Sequence, residues 1–231
     1  MASAAAVAKA QLRAAVGVPP TVSPGRIAET LRRQPWYRQS RILFVTPSPL
    51  LRQVRINVLA DGKTLLMPTP SLRRGFYRFG AGSVPFSKIP HAVTPKGAAR
   101  YGRYVSAVDL ARRPVEVAVA EAVLIDGDGN RLGAGDGFFD LALALLAAWG
   151  GLAAGVLVVG CVDHPDRLVA DSLPTEPFDV PVNVAVTGDG VHRLRAEPSR
   201  PAIVWERLSR RQIRRIDPLW KLWVRRSAGE R

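Results

Sequence analysis

Val115-Glu116-Val117-Ala118-Val119-Ala120-Glu121-Ala122-Val123-Leu124-Ile125 is β-branched and largely apolar, and it predicts a strand. Asp126-Gly127-Asp128-Gly129 turns that strand into a glycine-rich loop, Asn130 to Asp140, and Phe138 to Trp149 predicts a helix directly after it. Strand, loop and helix in this order form the repeating unit of a layered α/β protein.

The flanks repeat the unit. Arg41 to Val45 is a short apolar strand closed by Thr46-Pro47, and Leu50 to Leu59 carries apolar residues at helical spacing. Asp61-Gly62 ends that helix, and Thr64 to Met67 is a strand stopped by Pro68 and Pro70. Gly155 to Cys161 is another apolar strand, while Val182 to Thr187 and Val191 to Leu194 read as a hairpin around Gly188-Asp189-Gly190. The expected fold is α/β: a three-layer α/β/α sandwich with a mainly parallel sheet.

At the ends, Ala2 to Ala15 suits a short helix, and Pro19, Pro20 and Pro24 break the chain before a second helix around Arg26 to Arg33. Residues 1–40 are therefore a helical lead-in. Ser209 to Arg226 predicts one amphipathic helix, with Ser209 as N-cap and Ile213, Ile216, Leu219, Trp220 and Trp223 on its apolar face. Residues 200–231 are expected to pack as a basic helix on the rest, burying both tryptophans and leaving Arg210, Arg211, Arg214 and Arg215 wet. Residues 1–231 read as a single domain without internal repeats, and a monomer is expected.

Composition excludes several classes. With 47% hydrophobic and 23% charged residues, the 231-residue chain is an ordinary globular sequence. The longest apolar stretch, Leu141 to Val159, is interrupted by Gly150, Gly151 and Gly155 and does not read as a membrane span. Lys9 and Arg13 interrupt the alanine-rich start, which therefore lacks the apolar core of a signal peptide, and a cytoplasmic location is expected. The lone Cys161 and the scattered His91, His164 and His192 exclude a disulfide framework and a zinc cage.

The 33 basic residues against 19 acidic ones, a net charge of +14, point to an anionic partner: nucleic acid, nucleotide or polyanionic substrate. Nearly all of that charge is arginine, a usage that a GC-rich genome or a hot habitat explains equally well. Arginines and aromatics interleave in Arg73-Arg74-Gly75-Phe76-Tyr77-Arg78-Phe79 and in Arg100-Tyr101-Gly102-Arg103-Tyr104. Such a pattern suits base stacking on RNA or the lining of a pocket for an acidic ligand.

Gly133, Gly135 and Gly137 alternate directly before a helix, where backbone N–H groups and the helix dipole favour a phosphate. The same glycines would serve a tight turn. No Gly-Lys-Ser/Thr follows, so the loop is not a Walker A motif, and its spacing is not that of a dinucleotide fingerprint.

With its flanks, Arg131-Leu132-Gly133-Ala134-Gly135-Asp136-Gly137-Phe138-Phe139-Asp140 resembles the R-L-G-x-G-x-G-[YF]-[YF]-D signature of the 5-formyltetrahydrofolate cyclo-ligase family. Ser172 to Val182 with Val184-Ala185-Val186-Thr187 resembles a second family segment. Val54-Arg55, Gly62 to Pro70 and Leu72-Arg73 are similar to the family's divergent branch, found in archaea and in the methenyltetrahydrofolate synthetase domain-containing proteins of animals. Pro201 to Leu222 fits the archaeal members.

The resemblance implies a ribose-phosphate-isomerase/CoA-transferase-like fold and an ATP- and Mg²⁺-dependent ligase converting 5-formyltetrahydrofolate, or a related formylated pterin, to 5,10-methenyltetrahydrofolate. On the matching positions, Lys9 and Arg13 would contact phosphate, and Gly133, Ala134, Gly135, Asp136, Gly137, Phe138 and Phe139 would cradle it. Arg131 and Asp140 would act in catalysis, Asp140 also as the magnesium ligand, with Arg73, Phe76, Tyr77, Tyr101 and Arg167 against the substrate. The chain departs from the pattern at Ala134, where the signature carries a basic residue, at Arg167 in place of a glutamine, and at Phe178 in place of a histidine. No glutamate near Val54 matches the one that contacts folate in better-known members. A family member that lost its chemistry and binds nucleotide or RNA through its basic surface is the alternative.

Overall fold

The computed structural model describes residues 3–17, 24–196 and 200–229; Ala2, Pro19 and Pro20, which enter the reading of the lead-in, lie outside them. The lead-in holds α1 (Ala4–Ala15), α2 (Pro24–Arg32) and α3 (Pro35–Gln39). Then follow β1 (Ile42–Val45), α4 (Arg52–Ala60), β2 (Thr64–Pro68) and β3 (Phe76–Phe79). Short helices α5 (Ile89–Ala92) and α6 (Pro95–Tyr101), β4 (Arg103–Tyr104) and α7 (Ala107–Arg112) lead to β5 (Val115–Glu121). Next come β6 (Leu124–Asp126), β7 (Arg131–Leu132), α8 (Phe138–Ala148), β8 (Leu152–Cys161) and β9 (Leu168–Val169). The chain continues through β10 (Val184–Val186) and β11 (Val191–Arg193) to α9 (Arg210–Arg215) and α10 (Asp217–Gly229).

An eight-stranded sheet runs β11-β10-β8-β5-β1-β2-β3-β4. Its middle, from β10 to β2, is parallel, and antiparallel strands close both edges: β3 and β4 on one side, β11 on the other. Both faces are covered, as a parallel sheet requires. Alternation along the strands shows it: Leu43, Val45, Val117, Val119, Leu65 and Met67 enter one core, with Ile27, Leu31, Val54 and Val58 from α2 and α4. Phe44, Ala118, Ala120 and Leu66 enter the other, with Leu143, Leu145 and Leu146 from α8. Each fully buried Leu, Val or Phe side chain contributes about 1.5–3 kcal/mol, so the two cores hold the layers together.

Three expectations need correction. The strand expected over 115–125 ends at Glu121: the Ala122 N–H bonds to Cys161 C=O, the Val123 N–H bonds to Leu132 C=O, and the chain passes into a small sheet ordered β7-β6-β9. The Arg73–Phe79 stretch, read for its arginine–aromatic pattern, supplies strand β3, with Phe76, Tyr77 and Phe79 buried. The tail is two helices. Ile216 is extended at φ −108°, ψ 100°, and Pro218 has no N–H to continue the ladder, so α10 starts on a new phase. That phase buries Leu219 fully and turns Trp220 outward at 42% exposure, while Trp223 is half-buried against Trp205 at 5.5 Å between ring centroids. Arg210, Arg211, Arg214 and Arg215 are exposed, as expected.

Ile216 and Leu219 lie in the α8-side core with Leu72, Phe76 and Leu146, and the Asp217 N–H donates to Arg73 C=O at 2.9 Å. Leu219→Ala is therefore expected to cost about 2–5 kcal/mol in urea unfolding, the range for a fully buried leucine.

Candidate active site

Two adjoining chambers open beside the glycine loop. The first, about 560 Å³, lies between α1, the 131–141 segment, residues 176–179 and the tail from Ala202 to Ile216. The second, about 500 Å³, is apolar and sits over the carboxyl ends of β1, β2 and β5, lined by Thr46 to Pro49, Met67 to Leu72, Tyr77 and Ala120 to Val123. Ser71, Arg131, Ala134, Asp136, Phe138 and Phe139 face both and form the shared wall.

Buried ion pairs hold the wall and the polar chamber beside it. Arg131 Nη2 donates to both carboxylate oxygens of Asp140 at 3.0 Å, with both side chains under a tenth exposed, and Asp140 Oδ1 also accepts from the Val180 N–H at 3.0 Å. The guanidinium lies 4.7 Å over the Phe139 ring, and its Nε is buried without a partner among the described residues. Lys9, 5% exposed, is paired with Asp179 and lies 3.6 Å from Glu176. Arg13 Nε donates to Gly133 C=O at 2.6 Å, so α1 grips the loop as well as the 176–179 segment.

Gly135 at φ +102° and Gly137 at φ +64° occupy the left-handed region, and a Cβ on Gly135 would meet the Arg13 guanidinium at 3.2 Å. Glycine at 135 thus lets the cation close over the backbone. Asp136 Oδ1 accepts the Phe138 N–H at 3.1 Å and already caps the first donor of α8, so the anion cradle there is narrower than the sequence implies. Ser71 and Leu72 also have positive φ, 52° and 56°, in a turn closed by the Thr69 N–H to Gly75 C=O and the Leu72 N–H to Thr69 C=O bonds. Strain of this kind persists only where the surroundings over-determine it, and here it presents Ser71 to both chambers.

The structure gathers Lys9, Arg13, Arg131, Gly133, Ala134, Gly135, Asp136, Gly137, Phe138, Phe139 and Asp140 around the polar chamber. The expected substrate residues scatter. Tyr77 borders the apolar chamber; burial and the Tyr104 hydroxyl push its own hydroxyl up to about 12, so it remains a donor at neutral pH. Phe76 is fully buried between Phe44 and Trp149 and cannot touch a ligand. Tyr101 packs against the other core, 6.0 Å from His91. Arg73 is exposed outside both linings. Arg167, also outside both, donates to Gly17 C=O at 2.7 Å and to Asp163 at 3.4 Å.

Asp140, expected as the magnesium ligand, is paired with Arg131 and accepts from the Val180 N–H, and no group of three or more His, Cys, Asp or Glu able to hold a metal occurs among the described residues. The residues fit a cation that arrives with a polyphosphate and needs only a carboxylate or two from the protein, for which the exposed Asp136 on the shared wall is placed. Arg207, Arg215 and Glu121 also line the chambers and were not found from the sequence. No spacing rule connects the tail with the loop.

Fold and chambers define an α/β protein in which a polar and an apolar chamber meet at one glycine loop. The chain belongs to the 5-formyltetrahydrofolate cyclo-ligase family, whose sequence profile matches residues 9–188. It is 29% identical over 202 residues to a methenyltetrahydrofolate synthase domain-containing protein of Bos taurus, a match covering 83% of this chain and 51% of that protein. The corresponding Homo sapiens protein is 29% identical over 198 residues, covering 82% and 50%. The chain thus spans about half the length of the curated relatives it matches. Its fold is similar to the NMR structure of Aquifex aeolicus 5,10-methenyltetrahydrofolate synthetase, with a TM-score of 0.53, 22% identity and coverage of 83% of this chain and 95% of that one. No helix among the described residues is long and apolar enough to cross a membrane.

Breaking the Arg131–Asp140 pair from one side leaves a buried charge. Asp140→Ala is expected to destabilise the fold by about 3–5 kcal/mol in urea titration, well beyond the loss of an exposed metal ligand.

Proposed function

We propose that the chain is a cytoplasmic, ATP- and Mg²⁺-dependent cyclo-ligase acting on 5-formyltetrahydrofolate or a related formylated pterin. The observation that carries this reading is the pair of chambers with one shared wall: a cation-lined cleft for the triphosphate and an apolar one for a flat heterocycle, meeting at Ser71, Arg131, Ala134 and Asp136.

The formyl oxygen is a poor leaving group. In the proposed reaction it attacks the γ-phosphorus and the O–P bond to ADP breaks. The N10 nitrogen then attacks the formyl carbon, inorganic phosphate leaves with the formyl oxygen, and N10 gives up its proton to water. Catalysis of such a transfer is chiefly positioning and charge neutralisation. Arg13 closes over the loop where the phosphates would lie, Arg131 is held in place by Asp140, and Phe138 and Phe139 stand in the wall between the two chambers. Asp136 would hold a magnesium ion there, which would supply charge neutralisation on the phosphates.

The aromatic–arginine stretches give the RNA-binding alternative little support. Phe76 and Phe79 are core residues unavailable for stacking, although Tyr104, with Arg74 3.9 Å over its ring, stays 48% exposed.

Calorimetric titration of Mg²⁺-ATP with and without 5-formyltetrahydrofolate tests the reading: binding that strengthens when both are present supports it, and RNA binding without ATP binding overturns it. Gly135→Val is expected to weaken ATP by at least about tenfold, because the branched side chain pushes Arg13 off the loop and disfavours φ +102°. Ala134→Lys is expected to strengthen it by about 1–2 kcal/mol, the value of a charge-assisted contact.

A further inference from the structure

The family profile ends at residue 188, yet the polar chamber does not: Ala202 to Val204, Arg207, Leu208, Gln212, Arg215 and Ile216 also line it. The chamber's own charges explain why that matters. Lys9 is neutralised by Asp179 and Glu176, and Arg131 by Asp140. The loop contributes Ala134 and Asp136 and no cation between residues 132 and 140. Arg13, Arg207 and Arg215 are the lining cations that make no ion pair among the described residues.

The two tail arginines stand on a fixed base. Arg207 ends a 3-10 turn, Trp205–Arg207, and Ser209 and Gln212 then form a capping box with the Ser209 N–H to Gln212 Oε1 bond at 2.9 Å and the Gln212 N–H to Ser209 Oγ bond at 3.2 Å. Arg215 sits between Ile213 and Ile216, each 4% exposed. It also borders a shallow depression with Arg210, Arg211 and Arg214, which raises the positive potential around it.

We infer that Arg207 and Arg215, from the segment beyond the family-matched stretch, are polyphosphate-binding residues that supply the cationic charge the glycine loop lacks. This rests on the nucleotide-using reading above. Both side chains are exposed on the chamber lining, so their attraction for phosphate is screened by salt, and neither is neutralised by a carboxylate among the described residues.

The test is calorimetric titration of Mg²⁺-ATP into the full chain and into Arg207→Ala, Arg215→Ala and the double variant, at low and physiological salt, with urea unfolding of each. Each single variant is expected to weaken ATP by roughly tenfold, and the double variant to flatten the salt dependence, with unfolding midpoints unchanged. Ala134→Lys added to the double variant is expected to recover at least half of the lost binding energy, because it returns a cation to the same chamber. If the midpoints fall, Arg207→Lys and Arg215→Lys decide: retained ATP affinity supports the inference and lost affinity overturns it. Wild-type affinity in the double alanine variant overturns the inference alone. A wild-type chain that binds no Mg²⁺-ATP overturns the functional reading, and the inference with it.

Discussion

The buried pair between Arg131 and Asp140 is the contact on which the rest of the site depends. It joins the residue that opens the glycine loop to the first turn of α8, and through the Val180 N–H it also fixes the segment that returns over the chamber. Removing two charges from water costs several kcal/mol per ion, and their attraction offsets this only when geometry and hydrogen bonding are good. Such a pair adds little net stability. It fixes one register of loop against helix, and the glycines between its ends then have a single path to follow.

From that path the two chambers follow. Phe139 stacks on Phe44 at 6.2 Å between centroids and closes the floor toward the sheet, while Arg13 closes the loop from α1. The apolar chamber needs the carboxyl ends of parallel strands, where the chain must turn away and leave a crevice. The polar one needs three segments that the sheet does not connect: α1, residues 176–179 and the tail. Its charges are mostly committed to one another, so its binding potential comes from the few cations that are not.

The parallel middle of the sheet was legible because β1, β2, β5 and β8 are near-continuous apolar runs bounded by turn residues, a local property. The antiparallel strand β3, next to the edge, was not. Its aromatics follow Arg73 and Arg74 and flank Arg78, a pattern that suits a recognition surface as well as a strand until burial is known. Leu219 and Trp220 show the same limit on a helix: both fit a continuous amphipathic face, and only the break at Ile216 separates the buried one from the exposed one. The loop residues of the site were readable as a motif. Asp140's commitment to Arg131 was less so, because an acid at a helix N-terminus looks alike whether it binds a metal, caps the dipole or neutralises a cation nine residues earlier.

The polar chamber draws on residue 6 at one extreme and residue 216 at the other. During synthesis, α1 leaves the ribosome long before Asp179, the partner that neutralises Lys9, has been made. The sheet strands can pair progressively, but the polar chamber is complete only once residue 216 has emerged. A nascent chain therefore carries Lys9 without its carboxylate partners until residues 176–179 have been made, and the chamber forms in a later step than the sheet beneath it.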